Sequence, residues 1–308
     1  MKILVTGGAG YLGSELLPRL LGLGHEVTVL DSFKHGVPSL AAVGGHAALT
    51  VYRGDVRDEE LLIGCLHQQD AVVHLAALVG SGACEAARGE AVSTNLWATT
   101  KLVELMRPHQ ILIFPCTNSG YGRGGALPVT ETDPMRPLSL YGTTKARAEE
   151  AVLRHPLGVS LRFATLYGPS ARMRLDLLVN EFVYYAANRK PLAVYERHFR
   201  RCVLHVFDAA SAIIWSISHR CVLFGRAWNV GAENLTKADL CRLIQTQEPR
   251  FSWNATKGRD PDQRDYAVSS DAFHAATGWS PSVKITDGIG QLLRLYRQPF
   301  DSPAWRNA

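Results

Sequence analysis

A glycine-rich turn near the start of the chain restricts the possible folds more than any other feature. Residues 6–13 read Thr-Gly-Gly-Ala-Gly-Tyr-Leu-Gly and directly follow an apolar run that is typical of a β-strand. Gly8, Gly10 and Gly13 fit the G-x-G-x-x-G spacing, and Gly7 with Gly10 and Gly13 fits G-x-x-G-x-x-G. Glycines in this pattern allow a tight turn, let the backbone approach a pyrophosphate and let the next helix pack closely on a sheet. The turn therefore predicts a dinucleotide site, with Tyr11 and Leu12 also beside the phosphates at the helix N-terminus.

Short apolar runs alternate with helical patterns over the first half of the chain, as a parallel sheet with crossover helices requires. The predicted strands are Lys2–Thr6, Glu26–Asp31, Leu49–Arg53, Ala71–Leu75, Ile111–Thr117 and Val159–Phe163. The predicted helices are Tyr11–Leu23, Glu59–Leu66, Ser93–Arg107 and Tyr141–His155. This pattern indicates an α/β fold, a Rossmann-like doubly wound parallel sheet.

The alternation ends after about Tyr167. Helical patterns at 175–188 and 237–247 then mix with short strands at 203–206 and 228–230. We expect a dinucleotide-binding Rossmann domain over residues 1–166 and a smaller C-terminal α/β substrate-binding lobe over residues 167–308. The boundary is soft, because the chain can cross back to the first domain.

An acidic residue at the end of the second predicted strand indicates which dinucleotide binds. Asp31 can accept hydrogen bonds from the adenosine ribose hydroxyls, and its charge repels the 2′-phosphate of NADP. We therefore expect NAD, with Ser32 and Lys34 also at the cofactor, although the Lys34 charge softens the preference. The alternative for Asp31 is an exposed strand-end carboxylate. Asp55 and Val56 follow the third strand and are placed to contact the adenine, while a helix N-cap is an equally good interpretation of Asp55.

A tyrosine and a lysine four residues apart indicate a catalytic pair. Tyr141 and Lys145 share one face of a predicted helix. A phenol titrates near pH 10, and a neighbouring ammonium and a positive nicotinamide favour the phenolate, so Tyr141 is a candidate general base. Thr117 ends the fifth predicted strand, at the edge of the sheet that faces the ligand crevice. Its hydroxyl can hydrogen-bond a substrate oxygen while Tyr141 moves the proton.

Taken together, these motifs resemble the extended short-chain dehydrogenase/reductases, in the branch of NAD-dependent nucleotide-sugar epimerases and dehydratases. The resemblance spans most of the first half of the chain in the family's order and extends into the second. It rests on the turn 7–13, Asp31, Asp55-Val56, His74-Leu75-Ala76-Ala77, Asn95, Cys116-Thr117-Asn118-Ser119-Gly120-Tyr121-Gly122, Tyr141 with Lys145, Tyr167-Gly168-Pro169 and Val203-Leu204-His205-Val206-Phe207-Asp208.

The resemblance implies that Thr117, Tyr141 and Lys145 oxidise a sugar hydroxyl with NAD, and that Leu75, Ala76, Ala77 and Asn95 also belong to the cofactor site. Dehydratases of this family usually carry Asp-Glu directly after the Thr, whereas Asn-Ser follows Thr117 here and supplies neither carboxyl group. We therefore expect a nucleotide-sugar epimerase, acting at C4 through a keto sugar and a returned hydride. The alternatives are a nucleotide-keto-sugar reductase that uses NAD(P)H, a nucleotide-sugar dehydratase and, in another class, a non-catalytic dinucleotide sensor.

The resemblance also implies a set of substrate residues. A nucleotide-diphosphate sugar needs cations and amides around its phosphates. Arg259 and Arg264 are two candidates for one late phosphate-binding arginine whose register stays open. The full set of substrate candidates is Val79, Ser81, Thr117, Asn118, Ser119, Thr165, Arg172, Asn180, Arg201, Arg259 and Arg264.

Three positions depart from the family pattern, namely Thr165, Cys202 and the loop 79–84, and they indicate an unusual sugar or a carbon other than C4.

Composition excludes several other classes of protein. The 33 Lys and Arg against 28 Asp and Glu form no basic run, so no nucleic-acid partner is expected. Six scattered cysteines show no metal-ligand spacing and suit reduced thiols in the cytoplasm. The first residues run at once into the glycine turn, so no signal peptide is expected, and no apolar run is long enough to span a membrane. The family resemblance implies a homodimer formed through helices 93–107 and 141–155, with core burial as the alternative for their apolar stripes, such as Leu96, Leu102, Val103 and Met106.

Overall fold

A parallel sheet of seven strands forms the centre of the computed structural model, which describes residues 1–258 and 262–298. In pairing order the strands are β10 (Arg226–Val230), β6 (Gly158–Phe163), β5 (Ile111–Thr117), β4 (Ala71–His74), β1 (Lys2–Thr6), β2 (Glu26–Asp31) and β3 (Leu49–Arg53). All neighbouring pairs run parallel. The sheet confirms the predicted Rossmann-like fold, and the six strands expected in the first half are present to within one residue at each end.

The seventh strand comes from the far part of the chain. β10 pairs with β6 from Arg226↔Val159 to Val230↔Phe163, so the chain returns to the first sheet after leaving it. The division into 1–166 and 167–308 remains a prediction, and β10 lies on the other side of it from the sheet that it extends.

Helices cover both faces of the sheet, and some begin or end where the sequence did not indicate. The helix predicted from Tyr11 begins at Gly13, because Tyr11 and Leu12 belong to the glycine turn. The helix predicted over 93–107 is a π-helical turn (Ser93–Trp97) followed by a shorter α-helix. The flanking helices are α1 (Gly13–Gly22), α2 (Glu59–Leu66), α3 (Ser81–Ala86), α4 (Arg88–Val92), α5 (Ala98–Leu105), α6 (Leu140–Val152) and α8 (Val206–Ser218).

Apolar side chains under α2, α5 and α6 form the core on one face of the sheet. Leu102 and Met106 are buried in this core, and Leu96 and Val103 pack against it from its edge. The expectation that these four side chains form an outer stripe is therefore wrong for Leu102 and Met106, and their burial is the alternative that the sequence left open.

The rest of the chain forms a second layer beside the carboxyl ends of the strands. Two small sheets, in the orders β11-β9-β7 and β12-β8, pack with three helices around a separate apolar cluster, whereas a fourth helix packs through Phe273 on the core of the main sheet, beside Trp228 of β10. Across the described residues, no helix is long and apolar enough to cross a membrane. The elements are β7 (Thr165–Tyr167), β8 (Leu192–Tyr195), β9 (Arg200–His205), β11 (Glu233–Thr236), β12 (Trp253–Thr256), α7 (Leu178–Ala187), α9 (Lys237–Gln247), α10 (Asp271–Thr277) and α11 (Ile285–Tyr296).

Candidate active site

A cleft of about 780 Å³ runs along the carboxyl ends of the parallel strands, between the two layers. Its size is typical of a small-molecule site, and its place matches the ligand crevice of doubly wound sheets. Most of the residues selected from the sequence line it, although they come from widely separated parts of the chain. These are Gly7, Gly10, Tyr11, Leu12, Gly13, Asp31, Ser32, Lys34, Asp55, Val56, Leu75, Ala76, Ala77, Val79, Ser81, Thr117, Ser119, Tyr141, Lys145, Thr165, Arg172, Arg201 and Arg264.

The glycine turn is shaped as a dinucleotide cradle. Gly7 has φ of +70°, and a Cβ there would lie 2.6 Å from the Ala76 nitrogen. At Gly13 a Cβ would lie 2.4 Å from the Gly8 oxygen, so only glycine lets α1 begin this close to the turn. The backbone N–H groups of Tyr11, Leu12 and Gly13 have no acceptor within the described residues. Three adjacent donors at a helix N-terminus fit the pyrophosphate of a dinucleotide.

Asp31 is held in place beside the turn by two backbone donors. Its Oδ2 accepts from Ala9 N at 2.9 Å and its Oδ1 from Phe33 N at 2.7 Å. Burial raises the pKa of this carboxyl, and the same two hydrogen bonds oppose the rise. Each oxygen keeps a further lone pair for a ribose hydroxyl. The Lys34 charge was expected to weaken the preference for NAD over NADP. In the structure Lys34 forms an ion pair with Glu90 (Nζ–Oε1 2.6 Å).

Asp55 does not cap helix α2, so that interpretation was wrong. The cap is Asp58, whose Oδ1 accepts from Leu61 N at 3.1 Å. Asp55 lies at the cleft and pairs with Arg57 (Oδ2–Nη2 2.6 Å). That hydrogen bond is the main reason why the pKa of Asp55 is lowered.

Asn95 does not line the cleft, contrary to its selection as a cofactor residue. It lies buried in the π-helical turn, where its Oδ1 accepts from Leu78 N at 2.7 Å and its Nδ2 donates to Leu78 O at 2.9 Å. Asn95 therefore holds the loop after β4, which itself forms one wall of the cleft.

Thr117, Tyr141 and Lys145 all line the cleft. Ser139 caps α6 by accepting from Gly142 N, which starts the helix just before Tyr141. Burial raises the pKa of the Tyr141 phenol and lowers the pKa of the Lys145 ammonium to about 8. Lys145 is buried, with its Nζ 3.7 Å from the centroid of the Phe114 ring.

A hydroxyl and arginine cluster adjoins this group. Thr117 donates to the Ser119 hydroxyl at 2.9 Å, and the Arg264 guanidinium donates to the same hydroxyl. Asp262 pairs with both Arg264 (Nη2–Oδ2 2.5 Å) and Arg201 (3.0 Å). Burial opposes the ionisation of Asp262, but Arg264 and Arg201 outweigh it and hold the pKa of this carboxyl well below its usual range. The cluster leaves one net positive charge beside Thr117.

Two of the proposed substrate residues do not reach the cleft. Asn118 is buried, and neither polar atom of its side chain has a hydrogen-bond partner. Asn180 is also buried, and it hydrogen-bonds Gly168 N, Arg174 O and the Tyr11 hydroxyl. Arg259 lies outside the described residues.

Several cleft residues escaped the sequence analysis. Asp262 and Lys237 are ordinary charged residues in the sequence, and only the folded chain brings them to the site. Tyr195 ends an alternating run, Leu-Ala-Val-Tyr, which was a weak signal for a strand at a pocket wall. The other missed residues include His35, Asp176, Glu181, Tyr185 and Tyr266.

The described residues contain no cluster of three or more His, Cys, Asp or Glu side chains that could hold a metal. The six cysteines are free, and all but Cys221 are buried.

Comparison with known proteins agrees with this geometry. A family model described as the NAD dependent epimerase/dehydratase family matches residues 3–231. The chain is 38% identical to a UDP-glucose 4-epimerase of Halalkalibacterium halodurans, over 91% of each protein. It is 30% identical to a dTDP-glucose 4,6-dehydratase of Streptomyces niveus, over 99% of this chain and 94% of that one.

The fold has close counterparts among solved structures. A UDP-glucuronic acid 4-epimerase from Bacillus cereus superposes with a TM-score of 0.87 at 24% identity, over 97% of this chain and all of the other. At that identity the likeness concerns the fold alone. The comparisons thus include both epimerases and dehydratases, and the site residues must be used to choose between them.

Proposed function

The chain belongs to the NAD-dependent epimerase/dehydratase family, and we propose that it is a nucleotide-diphosphate-sugar epimerase acting at C4. The observation that carries this choice is the environment of Thr117. Its neighbours on the substrate side are the Ser119 hydroxyl and the Arg264 guanidinium, and none of these is a carboxylic acid. Hydroxyls and a cation can orient a sugar while it is oxidised and reduced, but they cannot take over the acid and base steps of an elimination.

In this proposal Tyr141 moves the proton of the sugar hydroxyl. The Tyr141 phenolate takes the proton from O4 as the C4–H bond breaks, and the phenol so formed returns it after the keto sugar has turned over in the site. Burial holds the pKa of Tyr141 high, and the nearby charges of Arg174 and Arg264 act to lower it. When bound, NAD supplies a positively charged nicotinamide ring that takes the hydride from C4 and returns it to the opposite face.

Thr117 and Lys145 would position the reacting groups. The Thr117 hydroxyl, at the end of β5, would hydrogen-bond the sugar oxygen. Lys145 is one helical turn after Tyr141 and would donate to the nicotinamide ribose from its buried position. The turn 7–13 and Asp31 would hold the rest of the cofactor.

Dehydration is disfavoured because the nearby carboxyl group, that of Asp262, is ionised. Loss of water from a sugar needs an acid that protonates the leaving hydroxyl. Asp262 is near the reacting residues, but Arg201 and Arg264 hold it ionised at neutral pH. A carboxylate with its pKa far below neutrality holds no proton to donate.

The test incubates the protein with a panel of UDP- and dTDP-linked hexoses in D2O, without added cofactor. Interconversion of 4-epimers without uptake of deuterium supports the proposal. A 4-keto-6-deoxy product with deuterium at C5 would establish a dehydratase, because elimination exchanges the C5 proton. A second panel contains the corresponding nucleotide 4-keto-6-deoxy sugars with NADH or NADPH added, and turnover only there, in proportion to the reduced cofactor consumed, would establish a reductase.

A matched pair of variants separates an enzyme from a dinucleotide sensor. Tyr141→Phe should keep bound NAD and lose turnover by about 10²-fold or more, the usual contribution of a general base. Thr143→Val, two residues further along α6 and outside the cleft, is the control and should turn over normally. Equal NAD binding and equal function in both variants would favour the sensor.

We also infer a homodimer from the family resemblance. The side chain of Trp97, in the π-helical turn, is two-thirds exposed. It is a large apolar group in the predicted dimer segment 93–107 that a second copy of the chain could cover. Light scattering should give the mass of two chains for the wild type and the mass of one chain for Trp97→Glu. A wild-type mass of one chain would contradict the inference.

A further inference from the structure

A row of four buried side chains crosses the centre of the main sheet. Thr6 of β1 pairs with His74 of β4, and Phe114 of β5 pairs with Ser160 of β6. Strands β4 and β5 are paired up to the residues just before His74 and Phe114, so all four residues lie at one level of adjacent strands. Each is fully buried. Side chains at one level of parallel strands point to the same face, so the row forms one continuous surface.

Helix α6 contacts this row at two positions. Lys145 Nζ lies 3.7 Å from the centroid of the Phe114 ring, which is the geometry of a cation–π interaction. The Ser160 hydroxyl donates to the Glu149 carboxylate at 2.6 Å. Lys145 and Glu149 are four residues apart, so they lie on one face of the helix. The row therefore supports the face of α6 from which Lys145 reaches the cleft.

Two threonines fix the imidazole of His74. The Thr99 hydroxyl donates to Asn95 O at 2.9 Å, so it accepts from His74 Nε2 at 3.0 Å. The Thr6 hydroxyl then donates to His74 Nδ1 at 2.7 Å. A neutral imidazole with its proton on Nε2 satisfies both partners. His74 is therefore held at both ring nitrogens and adds no charge to the row.

The fixed imidazole supports the Phe114 ring. The centroids of the two rings are 6.0 Å apart, and their planes differ by 21°. Because the His74 ring cannot turn without losing a hydrogen bond, it limits the tilt of the aromatic ring beside it. The face of an aromatic ring is the negative part of its quadrupole, so a ring held in this orientation attracts the Lys145 ammonium.

The ionisable groups around Lys145 define what the ring adds. Burial lowers the pKa of Lys145 to about 8, and Cys116 of β5 and Glu149 of α6 oppose this change. Burial raises the pKa of the Cys116 thiol, which is therefore neutral at neutral pH. Glu149 shares its charge with Arg162 (Oε1–Nη2 2.7 Å), and the imidazole of β4 is neutral. The Phe114 ring contacts the ammonium directly and favours it over the amine without adding a counter-charge.

We propose that Phe114 and His74 are positioning residues of the active site, in which the Phe114 ring holds the Lys145 ammonium through a cation–π interaction and His74 holds the ring. The inference rests on the role that the proposed function gives to Lys145, whose ammonium would donate to the nicotinamide ribose. Neither Phe114 nor His74 lines the cleft, so both act through Lys145. Without the ring, the lysine side chain keeps less of its charge and more of its freedom, and it holds the cofactor less tightly.

The test measures NAD release from the purified holoenzyme between about pH 6.5 and about pH 9.5, on both sides of the Lys145 pKa of about 8. An excess of alcohol dehydrogenase and ethanol converts each released NAD into fluorescent NADH. Release should speed up by about fivefold as Lys145 loses its proton, because an amine makes a weaker hydrogen bond than an ammonium. Lys145→Met should remove this step, which assigns it to Lys145. A wild-type profile without the step would overturn the proposal.

A ring analogue separates the cation–π interaction from packing. Incorporation of 3,4,5-trifluorophenylalanine at position 114 keeps the shape of the ring and weakens the negative charge of its face. The midpoint of the step should move down by about 0.5 to 1 pH unit, the shift expected when a buried cation–π interaction is lost. The same analogue at position 251, where Phe251 is buried in the second layer, is the control and should leave the midpoint unchanged. A midpoint that stays or rises in the position-114 protein would overturn the proposal.

Two further variants test the part assigned to His74. Phe114→Leu and His74→Asn should each move the midpoint down, His74→Asn by less, and the double variant should match Phe114→Leu because both changes act through one ring. Additive shifts would overturn the role of His74. A lowered urea midpoint with an unchanged pH step in all variants would show that both residues are only structural. If the wild type interconverts no nucleotide sugar but the ring analogue moves the step, the proposed function fails and the positioning role stands.

Discussion

Replacing Glu149 should destabilise the protein strongly, because this carboxylate on α6 neutralises a buried arginine. Glu149 follows Lys145 by one turn of α6, and it accepts from Arg162 Nη2 at 2.7 Å and from Ser160 Oγ at 2.6 Å. The side chains of Arg162 and Glu149 are only 9% and 5% exposed. Arg162 continues the network by donating to the Tyr121 hydroxyl at 2.7 Å.

The expected magnitude follows from this burial. Glu149→Gln keeps the shape but leaves the Arg162 charge without a counter-ion, and removing one partner of a buried ion pair costs about 3–5 kcal/mol. The double variant Glu149→Leu with Arg162→Met removes both charges and should recover much of that loss, because apolar pairs of similar volume replace buried ion pairs at little cost. The network also holds Tyr121, which ends the turn that carries Ser119, so kcat should fall with the stability of this turn.

The assay is urea unfolding followed by tryptophan fluorescence, with the free energy of unfolding obtained from the midpoint and slope. Glu150→Gln is the matched control, since Glu150 is the exposed next residue of α6 and should change stability by less than about 0.5 kcal/mol. A loss below about 1 kcal/mol for Glu149→Gln, or a double variant as unstable as the sum of the two single ones, would refute the reasoning.

Three further outcomes follow from single contacts. Gly13→Ala should abolish stable NAD binding, measured as cofactor released on denaturation, because its Cβ would lie 2.4 Å from the Gly8 oxygen; normal NAD content would contradict this. His74 is buried between two threonine hydroxyls, and its pKa falls to about 3 through burial and the charge of Lys145. The unfolded state therefore binds an extra proton at this position below pH 6.5, so His74 should lower stability by about 1.6 kcal/mol between pH 6.5 and pH 5, and His74→Asn should lose less stability over this range by that amount; equal slopes in urea titrations would count against it. Asp31→Asn should reduce the ratio of NAD to NADP affinity by about tenfold or more, because the charge that repels the 2′-phosphate is lost; an unchanged ratio in binding titrations would show that another group selects the cofactor.

Local sequence patterns were sufficient to predict the cofactor half of the molecule. The turn 7–13 combines a strand, glycines at set spacings and a helix, and each of these constraints lies within a few residues. Asp31 and Thr117 end apolar strands, so their place at the edge of the sheet follows from the parallel topology. The fold, the family and the use of NAD therefore follow from the sequence alone.

Positions were less predictable where a residue's role depends on a distant partner. Asn95 and Asn180 were selected as ligand contacts, yet Asn95 holds the loop after β4 and Asn180 holds the segment between β7 and α7. An amide has the same donors and acceptors in both roles, so the sequence cannot tell a ligand from a backbone support. The burial of Leu102 was unpredictable for a similar reason, because the helix pattern marks an apolar face but does not show whether the core or a second copy of the chain covers it.

The sequence by itself determined the sheet and the dinucleotide turn and predicted the Tyr141 and Lys145 pair, because these depend on short-range spacing and on strand order. Tertiary structure alone decided the electrostatics of the cleft. Asp262 is neutralised by two arginines, Lys34 by Glu90, and Arg174 in part by Asp176. Charge pairing acts over a few ångströms in space, and chain separation has no bearing on it once the fold has formed.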